Sequence, residues 1–428
     1  MGPECAGAPV WSTANLYPSV REMSGLNVVR VAEQFPPLQG GLSPAMLALS
    51  LEQHRRGHRV TVITRDFGQR VHADGALPFA VIRLRSRSLM HFGWQAAEVL
   101  RRLPERPDIV HCHGPAAAPI LLRRRSGDPP VVLTLHAVRR YQYGLYRDLH
   151  QLARSVERVT GAPVRNPPRN YTARQPRIAW ELWTERYLCR KADHLALVAE
   201  YFGPLLAEYY AVPPEKCTVT YNGSDFHPGS VLDGGAARAS LGLPSDAQVI
   251  LFVGRLEWQK RIQLLVQAMP SLLSLVEQAR LLVVGGGEQR EDLQHLVRVL
   301  GLQERVQLVE WVEHGRLRDF YRAADCLCLP SIWEGLSKVL LEGMSVGLPV
   351  VATDNVSNRE ILRGGQVGFL VGDPTPDGWA SALCDVLRNP DAARSRAASA
   401  SRLVNERYRW NHVADRLDGA YRRLIPAL

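Results

Sequence analysis

Short apolar runs of strand length recur along the chain, and the intervals between most of them carry apolar positions at helical spacing. The first half reads as strands at Asn27–Ala32 (NVVRVA), Arg59–Thr64, Val81–Leu84, Asp108–Cys112, Val131–His136, His194–Val198 and Thr218–Tyr221. Ser43 is placed to cap a helix that runs to about Arg56 and that Gly57 ends. The rhythm restarts at Val249–Val253 and continues through Leu281–Val284, Val306–Val309, Asp325–Pro330 (DCLCLP), Pro349–Ala352 and Gly368–Val371. Helices are expected at Lys260–Val276 and Glu288–Leu300, in a short piece ending at Ala323, and from Asp377 onward. Strands joined by helix-length crossovers predict an α/β fold of parallel, doubly wound sheets.

The same pattern divides the chain. It predicts an irregular extension (1–25), a first domain (26–225), a Gly/Ser/Pro/Ala-rich linker (226–246), a second domain (247–408) and a last helix (409–428) that can cross back to the first domain. One segment breaks the alternation. Residues 159–176 (VTGAPVRNPPRNYTARQP) have no hydrophobic period and read as a mobile surface loop or lid.

Composition narrows the class. With 428 residues, 46% hydrophobic and 22% charged, the chain can fill two cores. Seven cysteines form no CxxC pair, and the odd number argues for a reducing compartment. No apolar run reaches membrane-spanning length, and the first 25 residues have neither a basic start nor an apolar centre, so a cytoplasmic location is expected. The net charge is +10, and the whole surplus lies in the first 230 residues. A solvated Arg-rich surface accounts for it, as does an anionic partner such as a membrane surface or an acidic substrate. Nucleic acid is not expected, because no helix-turn-helix, zinc or aromatic-basic RNA module is present.

The candidate chemistry centres on Ser331–Asp354 (SIWEGLSKVLLEGMSVGLPVVATD). A strand, a turn at Gly335 and a helix from about Leu336 to Val346 would aim free backbone N–H groups at an anion. Glu334 and Glu342 flank the turn, and acids beside an anion site need something else to bind, such as ligand hydroxyls. Hydroxyls and an anion on one molecule suggest a sugar nucleotide. Arg255 and Lys260 fall at another strand's carboxyl end, where they could hold a diphosphate and stabilise it as it leaves. The Gly285–Gly287 turn is a weak signal by itself, since GGG suits any tight turn. No D-x-D occurs, so chemistry without a bound metal is favoured. In the first domain His111, His113 and His136 close strands. His111 and His113 lack a third metal ligand at suitable spacing, and His136 reads as a substrate contact or proton handler.

These residues resemble the retaining family 4 glycosyltransferases of the GT-B fold, also called glycosyl transferases group 1. The likeness rests on Glu334-x7-Glu342, Gly254-Arg255-Leu256 with Lys260, Gly285–Gly287, Gly40–Gly41, Pro107-Asp108-Ile109-Val110-His111, Thr134-Leu135-His136 and Tyr221-Asn222-Gly223, in order over roughly residues 27–425. The resemblance implies two Rossmann-like domains facing a deep cleft, with the nucleotide held by the second domain and the acceptor mainly by the first. It implies that Arg255 and Lys260 bind the donor diphosphate, Glu342 the ribose hydroxyls, and Glu334 the transferred sugar, with His136 beside that sugar. Gly335, Leu336, Ser337, Gly286 and Glu310 complete the expected donor site, and Gly40, Gly41, His113 and Asn222 the expected acceptor side. No cofactor is expected beyond a UDP- or GDP-linked sugar as co-substrate.

The chain departs from the family pattern in three places. Glu310 and Arg261 stand where glycine is common, and Ser357–Asn358 replace a usual glycine pair. The expected activity is glycosyl transfer to a small soluble acceptor, as in antibiotic or thiol-conjugate biosynthesis. The alternatives are a membrane-surface enzyme acting on a lipid or envelope glycan, a nucleotide-sugar epimerase, and a non-catalytic nucleotide-sugar-binding protein.

Overall fold

The apolar runs lie side by side in two separate sheets in the computed structural model, which describes residues 25–37, 42–68, 74–146, 149–168, 175–224, 226, 234–313 and 315–425. The first sheet takes β1 (Asn27–Ala32), β2 (Arg59–Asp66), β3 (Ala80–Arg85), β4 (Ile109–His113), β5 (Val131–Leu135), β6 (His194–Leu197) and β7 (Cys217–Val219) in the order β3-β2-β1-β4-β5-β6-β7. The second takes β8 (Gln248–Val253), β9 (Ala279–Val284), β10 (Val306–Val309), β11 (Cys326–Leu329), β12 (Val350–Thr353) and β13 (Phe369–Val371) in the order β10-β9-β8-β11-β12-β13. Neighbouring strands run parallel in both. Strand order reverses between β1 and β4 and again between β8 and β11, which opens a crevice at the carboxyl ends of each sheet. This is the GT-B architecture.

Helices cover both faces of each sheet, so the central strands are buried on both sides and largely apolar. Of their polar residues, Asn27 on β1, His111 and His113 on β4 and Thr134 on β5 are buried with them, and so is one full charge, Arg30 in the middle of β1. Its guanidinium is fully buried and donates to Ser50 Oγ and, at 2.5 Å, to Gln53 Oε1 on the helix Leu42–Arg55. The last helix, Trp410–Leu424, packs beside that helix on the first domain. There Arg56 reaches Asp415 (2.6 Å) and the Tyr421 hydroxyl meets His111 Nδ1 (2.6 Å). The chain thus crosses between domains twice, and the crossings touch: Ser224 N donates to Tyr408 O (2.7 Å). A Cβ at Gly223 would come within 2.3 Å of the Trp410 ring.

Several boundaries differ from the sequence reading. Ser43 lies inside the helix Leu42–Arg55 and does not cap it. The helix expected from Lys260 starts at Ile262, after a 3-10 turn at Trp258–Lys260. Part of the expected linker is a helix, Gly234–Ser240, that packs on the second domain, with Arg238 donating to both oxygens of Asp325 at 2.9 Å. Residues 161–168, expected as a free loop or lid, are docked on the second domain, and 169–174 lie outside the described residues. No helix among the described residues is long and apolar enough to cross a membrane.

Candidate active site

Lys260 and Glu334 come from loops at the carboxyl ends of β8 and β11, 74 residues apart in sequence. The ammonium lies 2.5 Å from Glu334 Oε1, with the two side chains only 15% and 13% exposed. Ion pairs this far withdrawn from water are costly to break by removing one partner. Past Glu334 the loop continues through Gly335 and Leu336 to the helix Lys338–Ser345. That helix starts two residues later than the apolar pattern predicts because Ser337 caps it, accepting from Leu340 N at 3.3 Å. Glu342 is buried inside the helix and accepts from the Tyr321 hydroxyl at 2.8 Å.

The 3-10 turn that presents Lys260 ends on Arg261 at φ 51°, a left-handed conformation. That is the physical reason glycine is common at this position, and burial holds the Arg261 guanidinium down at about 10. The two glycine segments lie against each other. Leu256 N donates to Gly286 O (2.9 Å) and Gln289 N to Leu256 O (3.0 Å). A Cβ at Gly285 would sit 1.9 Å from Gly254 O, and one at Gly287 2.5 Å from Leu256 O, whereas Gly286 faces open space. Gly285 and Gly287 are therefore required by packing, and Gly286 is not.

Not every expected donor residue joins this group. Arg255 is paired with Glu257 at 2.5 Å and its side chain is 69% exposed. Glu310 is paired with Arg290 at 3.0 Å and is more exposed still. Ser357 and Asn358 are buried: Asn358 Nδ2 donates to Thr353 O (2.8 Å) and Ser357 Oγ to Asn355 Oδ1 (2.8 Å).

Across the cleft, His136 follows β5 and touches the donor loop. A Cβ at Gly335 would lie 2.4 Å from the His136 carbonyl oxygen. Asn222 Nδ2 reaches Leu336 O at 3.4 Å, and the Tyr201 hydroxyl donates to Glu334 O at 2.5 Å. His113 does not line the cleft. It is 5% exposed and stands behind His136, Nδ1 to Nε2 at 3.2 Å, with its own Nε2 buried and unpartnered. His111 lies deeper, between Thr134 Oγ1 (2.6 Å) and the Tyr421 hydroxyl. Burial pulls His136 down to about 4 and holds His111 and His113 well below the usual imidazole range, so all three are neutral near pH 7. His136 is therefore a neutral ring whose Nε2 is taken up by His113 Nδ1. Among the described residues no group of three or more His, Cys, Asp or Glu is placed to hold a metal ion. Gly40 and Gly41 lie outside the described residues.

Sequence reading missed the residues that hold the two domains together. The Glu360 carboxylate, on the second domain, accepts from the backbone N–H groups of Glu200 (2.7 Å) and Tyr201 (3.0 Å) on the first, and burial pushes it up to about 7. Trp258 Nε1 donates to Asn166 O (2.7 Å), Arg165 N to Asp292 Oδ1 (2.9 Å), and the Tyr146 hydroxyl bonds Gln259. These partners are 92 to 160 residues apart in sequence, and nothing in either local segment signals the other.

Comparison with known proteins agrees with this arrangement. Residues 39–227 match the family described as Glycosyltransferase Family 4, and residues 235–403 match Glycosyl transferases group 1, so the two matches part where the two sheets do. The D-inositol 3-phosphate glycosyltransferase of Thermobispora bispora is 30% identical over 329 residues, 74% of this chain and 71% of that one. Other relatives of that name are matched over about half of their length. Sucrose-phosphate synthase from Thermosynechococcus elongatus superposes with a TM-score of 0.72 at 19% identity, covering 93% of this chain and 99% of that one. HepE of Anabaena, in complex with UDP and glucose, gives 0.70 at 17% identity, covering 93% and 100%.

Proposed function

The chain belongs to the group 1, family 4 glycosyltransferases, and from that premise we propose that it moves a sugar from a UDP- or GDP-linked donor to an acceptor hydroxyl, with retention of configuration and without a metal. The observation that carries the reading is the Lys260–Glu334 pair, seated beside the Gly335 turn, whose backbone is pressed against the His136 carbonyl of the facing domain. Lys260, with Arg255 swung in from Glu257, would neutralise the diphosphate as the bond between its oxygen and the sugar's anomeric carbon breaks. The electron pair leaves with the phosphate oxygen, the acceptor oxygen bonds the same face of that carbon, and its proton passes to the departing phosphate. Glu334, released from Lys260, would contact the sugar, and Glu342 the ribose. The UDP complex of the structural neighbour HepE supports a nucleotide donor.

A small soluble acceptor is the first reading for the acceptor side, supported by the name of the inositol phosphate glycosyltransferase relatives. An acceptor carried at a membrane surface is the second, favoured by the outer face of the first domain described below. Proton NMR of the product formed from an α-linked UDP-sugar tests the core proposal. An α-glycoside is expected, and net inversion would overturn the mechanism.

A further inference from the structure

The helix Pro176–Lys191 carries an unusual outer face. Trp180 and Trp183 are 51% and 52% exposed, and their rings stack at 5.3 Å; Tyr187 extends the stack at 5.7 Å from Trp183. Single exposed apolar residues need no explanation, but a stacked aromatic ladder in water does. Arg177, Arg186, Arg190 and Lys191 are exposed on the same helix, while its two acids turn inward. Glu181 is held by Arg139 (2.9 Å), the Tyr143 hydroxyl and, at 3.5 Å, Arg177, and Glu185 by the Arg139 backbone N–H (2.9 Å) and the Tyr210 hydroxyl (2.5 Å).

The neighbouring helices continue the pattern. The helix Ala117–Leu122 packs against this one, and Leu89–Arg102 packs against Ala117–Leu122. They add Leu122 (52% exposed) and Trp94 (42%), with the Arg123 guanidinium over the Trp94 ring at 5.7 Å. At the far end of the ladder a shallow recess of about 550 Å³ is lined by Arg190, Lys191, Lys216 and Arg423, with Asp193 and Glu215 as its acids.

We infer that this three-helix face docks the enzyme on the surface of an anionic phospholipid bilayer. Tryptophan and tyrosine settle at the headgroup level because the ring is apolar and its edge is polar. Arginine and lysine beside them meet anionic headgroups, each strengthening partitioning roughly fivefold. The surface fits this occupant better than a second copy of the chain, because apposing two such faces would set cation against cation. It also fits the location of the excess charge, all of it in the first 230 residues. Glu181, one residue from Trp180, holds Arg139 at the start of the helix that follows His136, so the ladder begins at the cleft end of the domain.

Docking rests on this outer face and not on the donor chemistry, so vesicle binding and glycosyl transfer succeed or fail separately. The test is co-sedimentation of the full chain with sonicated vesicles of pure phosphatidylcholine and of phosphatidylcholine with about one third phosphatidylglycerol. Binding to the mixed vesicles alone is expected, falling at least tenfold when the Debye length is cut to about 3 Å with 1 M salt. The variant Trp180→Ala/Trp183→Ala should lose at least tenfold in binding, as should Arg177→Glu/Arg186→Glu, with circular dichroism spectra and thermal midpoints close to those of the parent to show that each is folded. Absence of binding, equal binding to both vesicles, or full binding by either variant overturns the proposal. So does a parent dimer that the tryptophan variant turns into a monomer without any vesicle binding.

Discussion

The Lys260 ammonium and the Glu334 carboxylate are bonded to each other at 2.5 Å, although the proposed reaction uses them on different parts of one donor. A diphosphate carries more charge than a carboxylate and would compete for the lysine, and its arrival would release Glu334 toward the sugar. The pair therefore stores both groups with neither left as a lone, partly buried charge. Glu334→Gln keeps a hydrogen-bonding side chain and should lower kcat by about 10²- to 10³-fold, the range seen when one transition-state contact is removed. Its UDP affinity should stay within about threefold of the parent, since the amide still leaves Lys260 for the phosphates. Lys260→Ala should lose UDP affinity and turnover together. Steady-state kinetics with calorimetric UDP titration decides between them, and an equal fall in UDP affinity for both variants would place Glu334 on the nucleotide instead.

Gly335 is predicted to be as sensitive as either charge. An alanine there would place its Cβ 2.4 Å from the His136 carbonyl oxygen, a backbone atom that cannot swing aside. The two domains would have to part by about an ångström, and misplacement of that size can cost about 10²-fold in rate. Gly335→Ala should therefore turn over about 10- to 100-fold more slowly while unfolding within a few degrees of the parent. Unchanged kcat would mean that turnover does not pass through the domain contact described here.

How much of this was legible in the sequence depends on the range of the interaction. The thirteen strands among the described residues all fall on runs marked in the sequence; the central ones are plainest, because a parallel strand covered on both faces has to be largely apolar, whereas the edge strand β3 is only half-buried. Motif spacing singled out Lys260 and Glu334, since each lies at a fixed offset from its strand, and the structure brings them together. It also marked His113, but whether a strand's last histidine faces the cleft or stands behind its neighbour depends on β5, and that is invisible from β4 alone. Ser43 was misread because Ser is preferred just before a helix, and a Ser one residue inside it gives the same local pattern. Glu360, Trp258 and Asn166 left no trace, because each acts on a segment from the other domain. The segment 161–168 looked like a loop for the same reason: its partners, Asp292, Glu288 and Trp258, belong to the second sheet's surroundings.

Tyr421 ties the last helix to the first domain's interior, with His111 Nδ1 at 2.6 Å and Gln53 Nε2 at 3.5 Å on its hydroxyl. Tyr421→Phe would leave buried polar atoms on both without that partner. A loss of about 1–3 kcal/mol in unfolding free energy is expected, measured by urea denaturation. A chain ending before Trp410 loses the ring that fills the space against Gly223 and should yield no soluble first domain. A variant as stable as the parent would show that this buried network does not hold the helix.

Two sets of buried groups should tilt stability with pH in opposite directions. His111, His113, His136 and His194 all have depressed values in the fold, His136 and His194 at about 4. Their contribution is complete above about pH 6.5 and is lost as pH falls toward 4, because the unfolded chain then binds protons that the folded one refuses. Glu360 is raised to about 7, so its contribution is complete below about 4.5 and is lost as pH rises through 7, when a buried carboxylate must ionise between the domains. Replacing it by the neutral Glu360→Gln removes that second slope only. At pH 5 the parent's Glu360 is a neutral carboxyl group that, like the amide, offers one carbonyl oxygen to the Glu200 and Tyr201 N–H groups, so the variant should lie within about 1 kcal/mol of the parent there. Between pH 5 and 8 the parent should lose about 2 kcal/mol relative to the variant, read from urea midpoints at the two pH values. A stability gap that does not change with pH would remove Glu360 as the titrating contact, leaving the histidines as the sole source of pH dependence among these groups.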